Sequence, residues 1–278
     1  MLAEGITEEQ ANADLLTYLK ISSLPDCAGE FACSDEVINK IQEAAVRSDI
    51  SNFNYFPTDC PQREKNGWTA DASLSAEQML LNLYPEKCYK EWMRSIYKAL
   101  NDNGQLPGII PTGGWGYHWG NGPAWDNVII NLPYFTYIYR GDKEILEELS
   151  IPLMRYLNYL FSRLGEDGIM EIGLGDWCPP GVKEDEFKTP LAVTDTILTY
   201  DIAVKSAFVY EVLGQQPQRQ FALALAERVK TAFREKLLNK ETGKIKGGTQ
   251  TGQATQHVQS SARVMFLIVK ILPYPHPE

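Results

Sequence analysis

The chain has 278 residues, of which 44% are hydrophobic and 22% charged, a balance typical of a globular protein with a sizeable core. Its formal net charge of −10 argues against nucleic acid or an anionic membrane as a partner and fits an uncharged ligand. No apolar run reaches the roughly 18 residues that span a bilayer, and the start lacks a signal-peptide pattern, which favours a cytoplasmic location. The five cysteines show no disulfide or zinc spacing, so we expect neither a metal nor a cofactor.

Apolar residues recur at helical spacing in about eight segments after residue 30. In chain order, the predicted helices cover Ser34–Ala45, Ala72–Leu83, Tyr89–Leu100, Val128–Tyr139, Asp142–Leu164, Val193–Leu213, Phe221–Leu237 and Gln253–Leu272. Gly141 and Gly214 end two of these helices, and Pro152 predicts a kink in the fifth. The strand signal is poor, with residues 169–172 as the best candidate, and the fold class that follows is all-α.

The loop of residues 57–72 has a composition that a simple connection does not need. It combines Asp59, Glu64 and Asp71 with Trp68. A sugar site needs this mixture, because carboxylates move protons and hold hydroxyl groups, and an indole face covers the apolar side of a sugar ring. The alternative interpretation is a capped helix start, with Thr69 as N-cap and Asp71 in the first turn.

Two later connections rich in glycine and proline repeat this chemistry. Residues 113–126 contain three tryptophans and Asp126, and residues 173–181 contain Asp176 and Trp177. Tryptophan is usually buried, so these loops either converge on one pocket or pack as lids on the core. Antiparallel helix hairpins stacked around a centre place their long loops at one end, which favours the pocket. An open stack of helices would not bring them together.

The run Asp59-Cys-Pro-Gln-Arg-Glu64, followed by Gly67-Trp-Thr-Ala-Asp71, resembles the signature loop of glycoside hydrolase family 78, the α-L-rhamnosidases. Shorter matches at residues 30–34, 123–126, 175–177 and 249–253 support it. The resemblance covers the chain from about residue 20 to residue 254. It implies an (α/α)6 barrel of six helical hairpins.

The resemblance also implies an inverting glycoside hydrolase that releases terminal α-L-rhamnose from glycosides or polysaccharides. Glu64 is the implied general acid. The expected substrate-binding residues are Asp59, Arg63, Trp68, Asp71, Trp125, Asp126, Asp176 and Trp177. In this set, Asp59 and Asp71 bind sugar hydroxyls, Arg63 supports the carboxylates, and the tryptophans line the sugar subsite.

About eight helices are fewer than the twelve of a closed barrel, so we expect residues 30–278 to form an incomplete catalytic domain. Residues 1–29 resemble the end of a preceding β-domain or a linker. The general base of the family is a glutamate in a late barrel loop, which we expect beyond residue 278. The apolar stripes around Val37 and over residues 264–271 then face a gap, which predicts self-association and little hydrolysis by this chain alone.

Two other functions stay open. One is a different six-hairpin carbohydrate hydrolase, such as a glucuronyl hydrolase or a glucoamylase-like enzyme, which a substrate panel would separate. The other is an inactive sugar-binding fragment that lacks the base. A carboxylate that replaces the missing general base would argue against this alternative. The candidate site loops offer only Asp126 and Asp176 for that role.

Overall fold

The computed structural model describes residues 4–12, 15, 17, 19, 21–23, 27–119, 121–178, 181 and 188–254, and helices dominate this part of the chain. The α-helices are α1 (Glu36–Asn52), α2 (Thr69–Asn82), α3 (Glu86–Ala99), α4 (Pro123–Asp126), α5 (Val128–Arg140), α6 (Lys143–Arg163), α7 (Leu191–Val212), α8 (Gln216–Lys236) and α9 (Gln250–Ala254). The all-α prediction is confirmed. Most of the predicted last helix lies outside the described residues.

The turn between α5 and α6 shows why the helix boundaries were predictable. Gly141 ends α5 with a left-handed φ of 69°, a conformation that favours glycine. The next residue, Asp142, caps α6 by accepting a hydrogen bond from the backbone N–H of Ile145 at 3.3 Å. Pro152 lies inside α6 and does not end it. The two helices therefore form a hairpin with a minimal turn.

The helices lie in two rows. Helices α2, α5 and α7 lie side by side, and α3, α6 and α8 form the second row behind them. Large buried side chains fill the space between the rows, including Tyr89 of α3, Tyr156 of α6 and Tyr210 of α7. Successive helices thus pair as hairpins, and α1 and α8 stand near the two ends of the series. This arrangement matches part of a six-hairpin barrel, as predicted.

The short strands lie elsewhere than predicted. Strand β1 (Phe53–Asn54) pairs antiparallel with β2 (Phe56–Pro57), and the expected strand at residues 169–172 does not form. In that segment, the backbone N–H of Met170 donates to Thr196 Oγ1 at 3.0 Å, and the N–H of Ile172 donates to Asp195 Oδ2 at 2.9 Å. Side chains of α7 satisfy these backbone groups, so no partner strand is needed.

Helix α1 does not bury its predicted apolar face. Val37, Ile38 and Ile41 are 65%, 47% and 62% exposed. A polar pair instead joins α1 to α2, where Gln78 donates from Nε2 to Asp49 Oδ2 at 2.5 Å. The N-cap is Asp35 rather than Ser34, because the Asp35 carboxylate accepts the first free N–H groups of the helix.

Two expectations concern segments that the structure describes in part or not at all. The apolar stripe of residues 264–271 lies outside the described residues, and the assignment of residues 1–29 to a preceding domain stays a prediction. Within the described part of the chain, every helix is too short or too polar to cross a membrane.

Candidate active site

A cavity of about 510 Å³ opens where the three loops meet. Its lining residues are Asp59, Glu64, Asn66, Trp68, Asp71, Trp115, Trp119, Trp125, Leu174, Trp177 and Cys178. The polar members all come from residues 59–71, and the facing wall is built almost wholly of tryptophans with one leucine and one cysteine. The structure therefore brings together most of the residues that the sequence singled out.

A larger groove of about 720 Å³ lies between α1 and residues 27–32. It contains one aromatic side chain, Phe31, and its acidic residues Glu30 and Glu43 are both exposed. A carboxylate cluster facing an aromatic wall is absent from this groove's lining. The smaller cavity is thus the candidate active site, because it alone of the two combines both kinds of side chain.

Two hydrogen bonds between Asp59 and Asn66, one of them to the aspartate side chain, close the acidic loop on itself. The N–H of Asp59 donates to the carbonyl oxygen of Asn66 at 3.1 Å, and the N–H of Asn66 returns to Asp59 Oδ1 at 3.1 Å. Near the far end of this loop, Lys65 adopts a left-handed φ of 57°. Residues 61–65, between the two anchors, are exposed, and Glu64 among them lines the cavity.

The end of the acidic loop is fixed to the next connection of the chain. The N–H of Ile110 donates to the carbonyl oxygen of Gly67 at 2.8 Å, and the N–H of Thr69 donates to that of Gly108 at 2.9 Å. A Cβ atom at Gly67 would lie 2.1 Å from the carbonyl oxygen of Ile110. Glycine is required there because the two backbones touch.

Glu64 is held through one carboxylate oxygen. Its Oε2 accepts hydrogen bonds from the indole Nε1 of Trp68 at 2.8 Å and from Nδ2 of Asn66 at 3.3 Å. Among the described residues, Oε1 has no hydrogen-bond partner. One oxygen thus positions the side chain, and the other is left for a ligand.

Asp71 lies in the first turn of α2 and opens into the same cavity. Its pKa is raised above the usual value, first because the cavity walls displace water from the carboxyl group and then because Asp59 and Glu64 bring like charges near it. Asp71 is therefore a group of the site that binds a proton more tightly than an ordinary aspartate.

The tryptophans pack against one another around the cavity. The ring of Trp68 lies 6.4 Å from Trp125 and 6.1 Å from Trp115, and Trp119 meets Trp177 edge to face at 5.3 Å. Trp115 and Trp119 were not among the predicted site residues. Their position in the same glycine-rich segment as Trp125 is the sequence signal that points to them.

Asp126, which was predicted to bind substrate, lies outside the lining of the cavity. Its side chain is fully buried, and Oδ2 accepts hydrogen bonds from the N–H of Gly122 at 3.1 Å and from the hydroxyl of Tyr156 at 3.2 Å. Burial raises the pKa of Asp126 well above its usual value. Asp126 therefore supports the turn that precedes Trp125 from inside the core.

Two other predicted residues lie away from the lining. Asp176 accepts a hydrogen bond from Thr189 Oγ1 at 3.0 Å, and this hydroxyl also contacts Thr249 Oγ1 at 2.8 Å. Asp176 thus connects the loop of Trp177 to the start of α7. Arg63 is exposed and forms no ion pair with any residue that the structure describes, so its support of the carboxylates stays a prediction.

Asp59, Cys60 and Glu64 are close enough to share a cation, since their ligand atoms lie within 4.8 Å of one another. The thiol already has partners, because Cys60 Sγ donates to Asp59 Oδ2 at 3.0 Å and accepts the N–H of Glu64 at 3.2 Å. Hydrogen bonds within the loop are therefore sufficient to explain why these three side chains lie close together. The absence of a metal stays a prediction.

The helices thus stack as hairpins, in part of a six-hairpin barrel, around a cavity with carboxylates on one side and tryptophans on the other. A family model described as the bacterial alpha-L-rhamnosidase 6 hairpin glycosidase domain matches residues 26–257. The chain belongs to this family.

Individual relatives agree with this assignment. An alpha-L-rhamnosidase of Formosa agariphila is 31% identical over 213 residues, which make up 73% of this chain and 22% of the relative. The solved alpha-L-rhamnosidase of Dictyoglumus thermophilum has 32% identity and a TM-score of 0.70 over 76% of this chain and 24% of its own. The alpha-L-rhamnosidase of Streptomyces avermitilis, solved in complex with L-rhamnose, has 24% identity and a TM-score of 0.72. The match covers 87% of this chain and 24% of that protein. This chain spans less than a quarter of the length of these relatives.

Proposed function

We propose that this chain carries the acid side of an inverting α-L-rhamnosidase site that binds a terminal α-L-rhamnose. The observation that carries the proposal is the position of Glu64 at the cavity, held through Oε2 by Trp68 and facing a wall of tryptophans. The names of the relatives support rhamnose over other sugars.

The two walls of the cavity suit the two sides of a deoxy sugar. Asp59 and Asp71 accept hydrogen bonds from ring hydroxyls, since carboxylates are strong acceptors. Trp125, Leu174 and Trp177 offer apolar surface to the methyl group and the ring face. A sugar that carried a hydroxymethyl group in place of the methyl would bring a hydroxyl against this wall without a partner, which is unfavourable.

Inversion requires a second carboxylate that activates water from the opposite face, about 6.5–9.5 Å from the acid. Among the described residues, the cavity carboxylates all belong to residues 59–71, and the facing wall is apolar. Asp126, a candidate substitute base, is fully buried and occupied by Tyr156. We therefore propose that these 278 residues bind rhamnose and hydrolyse rhamnosides slowly or not at all without further residues.

The first experiment measures binding of L-rhamnose and hydrolysis of methyl α-L-rhamnoside by the 278-residue chain. We expect binding without appreciable turnover. Turnover at an ordinary enzymatic rate of about 10 s⁻¹ would contradict this and make Asp176 the first candidate base to mutate. The apolar wall also favours a second function, sugar binding without hydrolysis, which holds if a longer form of the protein is inactive as well.

The second experiment tests the acid in a longer form of the protein that turns over. Glu64→Gln should lower the rate on methyl α-L-rhamnoside by about 10²-fold or more, because a poor leaving group needs a proton from the acid. Glu43→Gln on exposed α1 is the matched control. If Asp71→Asn caused the larger loss on this substrate and Glu64→Gln the smaller, the acid would be Asp71.

A further inference from the structure

Basic residues are concentrated around the end of α8, although the formal net charge of the chain is −10. The segment of residues 228–246 contains seven lysines and arginines but only two glutamates. The remainder of the sequence is therefore even more acidic than the chain as a whole. A local excess of positive charge on an acidic protein attracts anions to one place, while the rest of the surface repels them.

Three of these lysines lie on a short hairpin of residues 238–246, which we call the lysine hairpin. Its two arms pair at Leu238 and Ile245, which form an antiparallel bridge. Asn239 closes the turn, because its N–H donates to the carbonyl oxygen of Lys244 at 2.9 Å and its Oδ1 accepts two backbone N–H groups at 3.0 Å. Hydrogen bonds within the hairpin thus hold the backbone that carries the lysines.

The lysine hairpin directs its charges towards solvent. Ile245 is buried and packs in a core cluster that includes Phe233 of α8. Side chains alternate along extended backbone, so Lys244 and Lys246 lie on the side opposite to Ile245. Both are exposed, as is Lys240 in the turn. Burial of one isoleucine therefore determines the direction of its two charged neighbours.

A cavity of about 460 Å³ opens beside the lysine hairpin. Its lining includes Lys236, Lys244 and Lys246 and contains no carboxylate. Lys236 pairs with Asp167 at 3.0 Å, whereas Lys244 and Lys246 form no ion pair with any residue that the structure describes. Two ammonium groups at this cavity are thus available to an anion, and carboxylate and sulfate groups are suitable partners for them.

The lysine hairpin lies at the same end of the helices as the candidate active site. Thr249, three residues beyond the hairpin, contacts Thr189 Oγ1 at 2.8 Å, and this hydroxyl donates to Asp176 at 3.0 Å. Asp176 precedes Trp177, which lines the candidate active site. Two hydrogen bonds therefore connect the segment after the hairpin to the loop of the aromatic wall. An extended ligand with one end in the active-site cavity can reach the hairpin.

We propose that the lysine hairpin is a docking site for an acidic glycan, which it binds through carboxylate or sulfate groups on sugars remote from the active-site cavity. The choice of a glycan rests on the proposed function, because the neighbouring cavity is assigned to a sugar. Exposed ion pairs are individually weak, so the hairpin adds affinity to a chain that is also held at its end. The acidic remainder of the surface disfavours nucleic acid.

The test measures dissociation constants of the 278-residue chain for polygalacturonate and dextran sulfate, which separate recognition of carboxylates from recognition of sulfates. Fully methyl-esterified polygalacturonate and dextran are the neutral counterparts. We expect at least one acidic polymer to bind and its neutral counterpart to bind far more weakly. The triple variant Lys240→Gln/Lys244→Gln/Lys246→Gln should lose about 10-fold in affinity for the acidic polymer, the combined effect of three exposed ion pairs. Its affinity for L-rhamnose should not change.

Two control variants separate the position of the charges from their number. Replacing the same three lysines by arginine keeps the charges and should preserve binding of the acidic polymer. The second control removes three exposed lysines from α1 and α3 and should bind like the parent; it carries Lys40→Gln, Lys87→Gln and Lys98→Gln.

The outcomes distinguish the docking site from the proposed function. If the glutamine variant of the hairpin bound acidic polymers as well as the parent, or if the parent bound none, the docking site would be wrong even with L-rhamnose bound. Failure of the parent to bind L-rhamnose would overturn the proposed function instead. An oligothymidylate that bound as tightly as the acidic polymers through the same lysines would overturn the choice of a glycan.

Discussion

Helices α1 and α7 differ in how many of their residues are buried. Along α7, buried residues occur from Ala192 to Tyr210, whereas Asp49 is the one buried residue of α1. The carboxylates of the cavity follow α1, and the loop of Trp177 precedes α7. The polar wall of the cavity thus follows the more exposed of these two helices, and part of the aromatic wall precedes the more buried one.

The two walls are also anchored by different means. Buried side chains such as Asp195 of α7 hold the backbone that leads to the aromatic wall. The polar wall depends instead on backbone pairing of residues 67–69 with residues 108–110. Disturbing that pairing should release the acids while the tryptophans stay in place, and the predictions below test this difference.

The largest effect is expected from Gly67→Ala. Because the new Cβ would meet a backbone oxygen at 2.1 Å, the acidic loop must shift. We expect a loss of about 3 kcal/mol in the free energy of unfolding, the upper range for overpacking, together with loss of L-rhamnose binding. Urea denaturation and calorimetry measure both. Gly29→Ala, where the nearest atom lies at 3.9 Å, is the control and should change neither.

The second effect concerns the junction of α1 and α2. Burial raises the pKa of Asp49 from 3.8 to about 6, and its hydrogen bond with Gln78 offsets this only in part. The folded protein therefore binds this proton more tightly than the unfolded chain, and its stability falls as pH rises from about 4 to about 6. Asp49→Asn cannot ionise and should be more stable at pH 8 by up to about 3 kcal/mol, but equal to the parent at pH 4.

Urea denaturation at the two pH values provides the measurement for Asp49. Asp102→Asn, in an exposed turn, is the matched control. A gain of the same size at both pH values would show that the ionisation of Asp49 does not weaken the junction.

The third effect tests the aromatic wall through Asp126. Asp126→Ala leaves the hydroxyl of Tyr156 and the N–H of Gly122 without an acceptor in the core, which should cost about 2 kcal/mol. Asp126→Asn keeps one oxygen acceptor and should cost clearly less. Thermal denaturation of both variants measures this difference in stability. If the two variants lost equal stability while Asp126→Asn also lost sugar binding, the carboxylate would act on the ligand after all.

The smallest effect is expected at Cys60, which joins Asp59 to the backbone of Glu64. Cys60→Ala removes both contacts and should weaken L-rhamnose binding about five-fold, the equivalent of one hydrogen bond. Cys60→Ser keeps a donor and an acceptor and should restore most of the affinity. Cys27→Ala, at an exposed cysteine, serves as the control. Equal affinities for the alanine and serine variants would rule out this positioning role.

Local chemistry explains which parts of the structure were predictable. The boundaries at Gly141 and Asp142 follow from the conformation of glycine and from the capping ability of aspartate, both readable in the sequence. The convergence of Glu64 with Trp125 and Trp177 follows from hairpin topology and from the family resemblance. These features depend on neighbours in the chain or on a repeated motif.

The features that escaped prediction depend on distant partners. Asp126 follows a site tryptophan and looks like a ligand residue, but Tyr156, from another helix, determines that it is buried. Val37 and Ile41 have the spacing of a buried face, yet nothing among the described residues covers them. The segment 169–172 forms no strand because α7 supplies its acceptors. Sequence periodicity contains no information on such long-range choices.

The clustering of tryptophans around the cavity allows ligand binding to be followed by intrinsic tryptophan fluorescence. Five of the six tryptophans line the cavity. The sixth, Trp92, is buried in the core, where its Nε1 donates a hydrogen bond to the carbonyl oxygen of Ile110 at 3.0 Å. Indole emission responds to nearby carboxylates and to water, and the Trp68 ring touches the carboxylate of Glu64. Ligand entry can therefore be followed in the unlabelled chain by its ultraviolet fluorescence, with Trp92 as a nearly constant background.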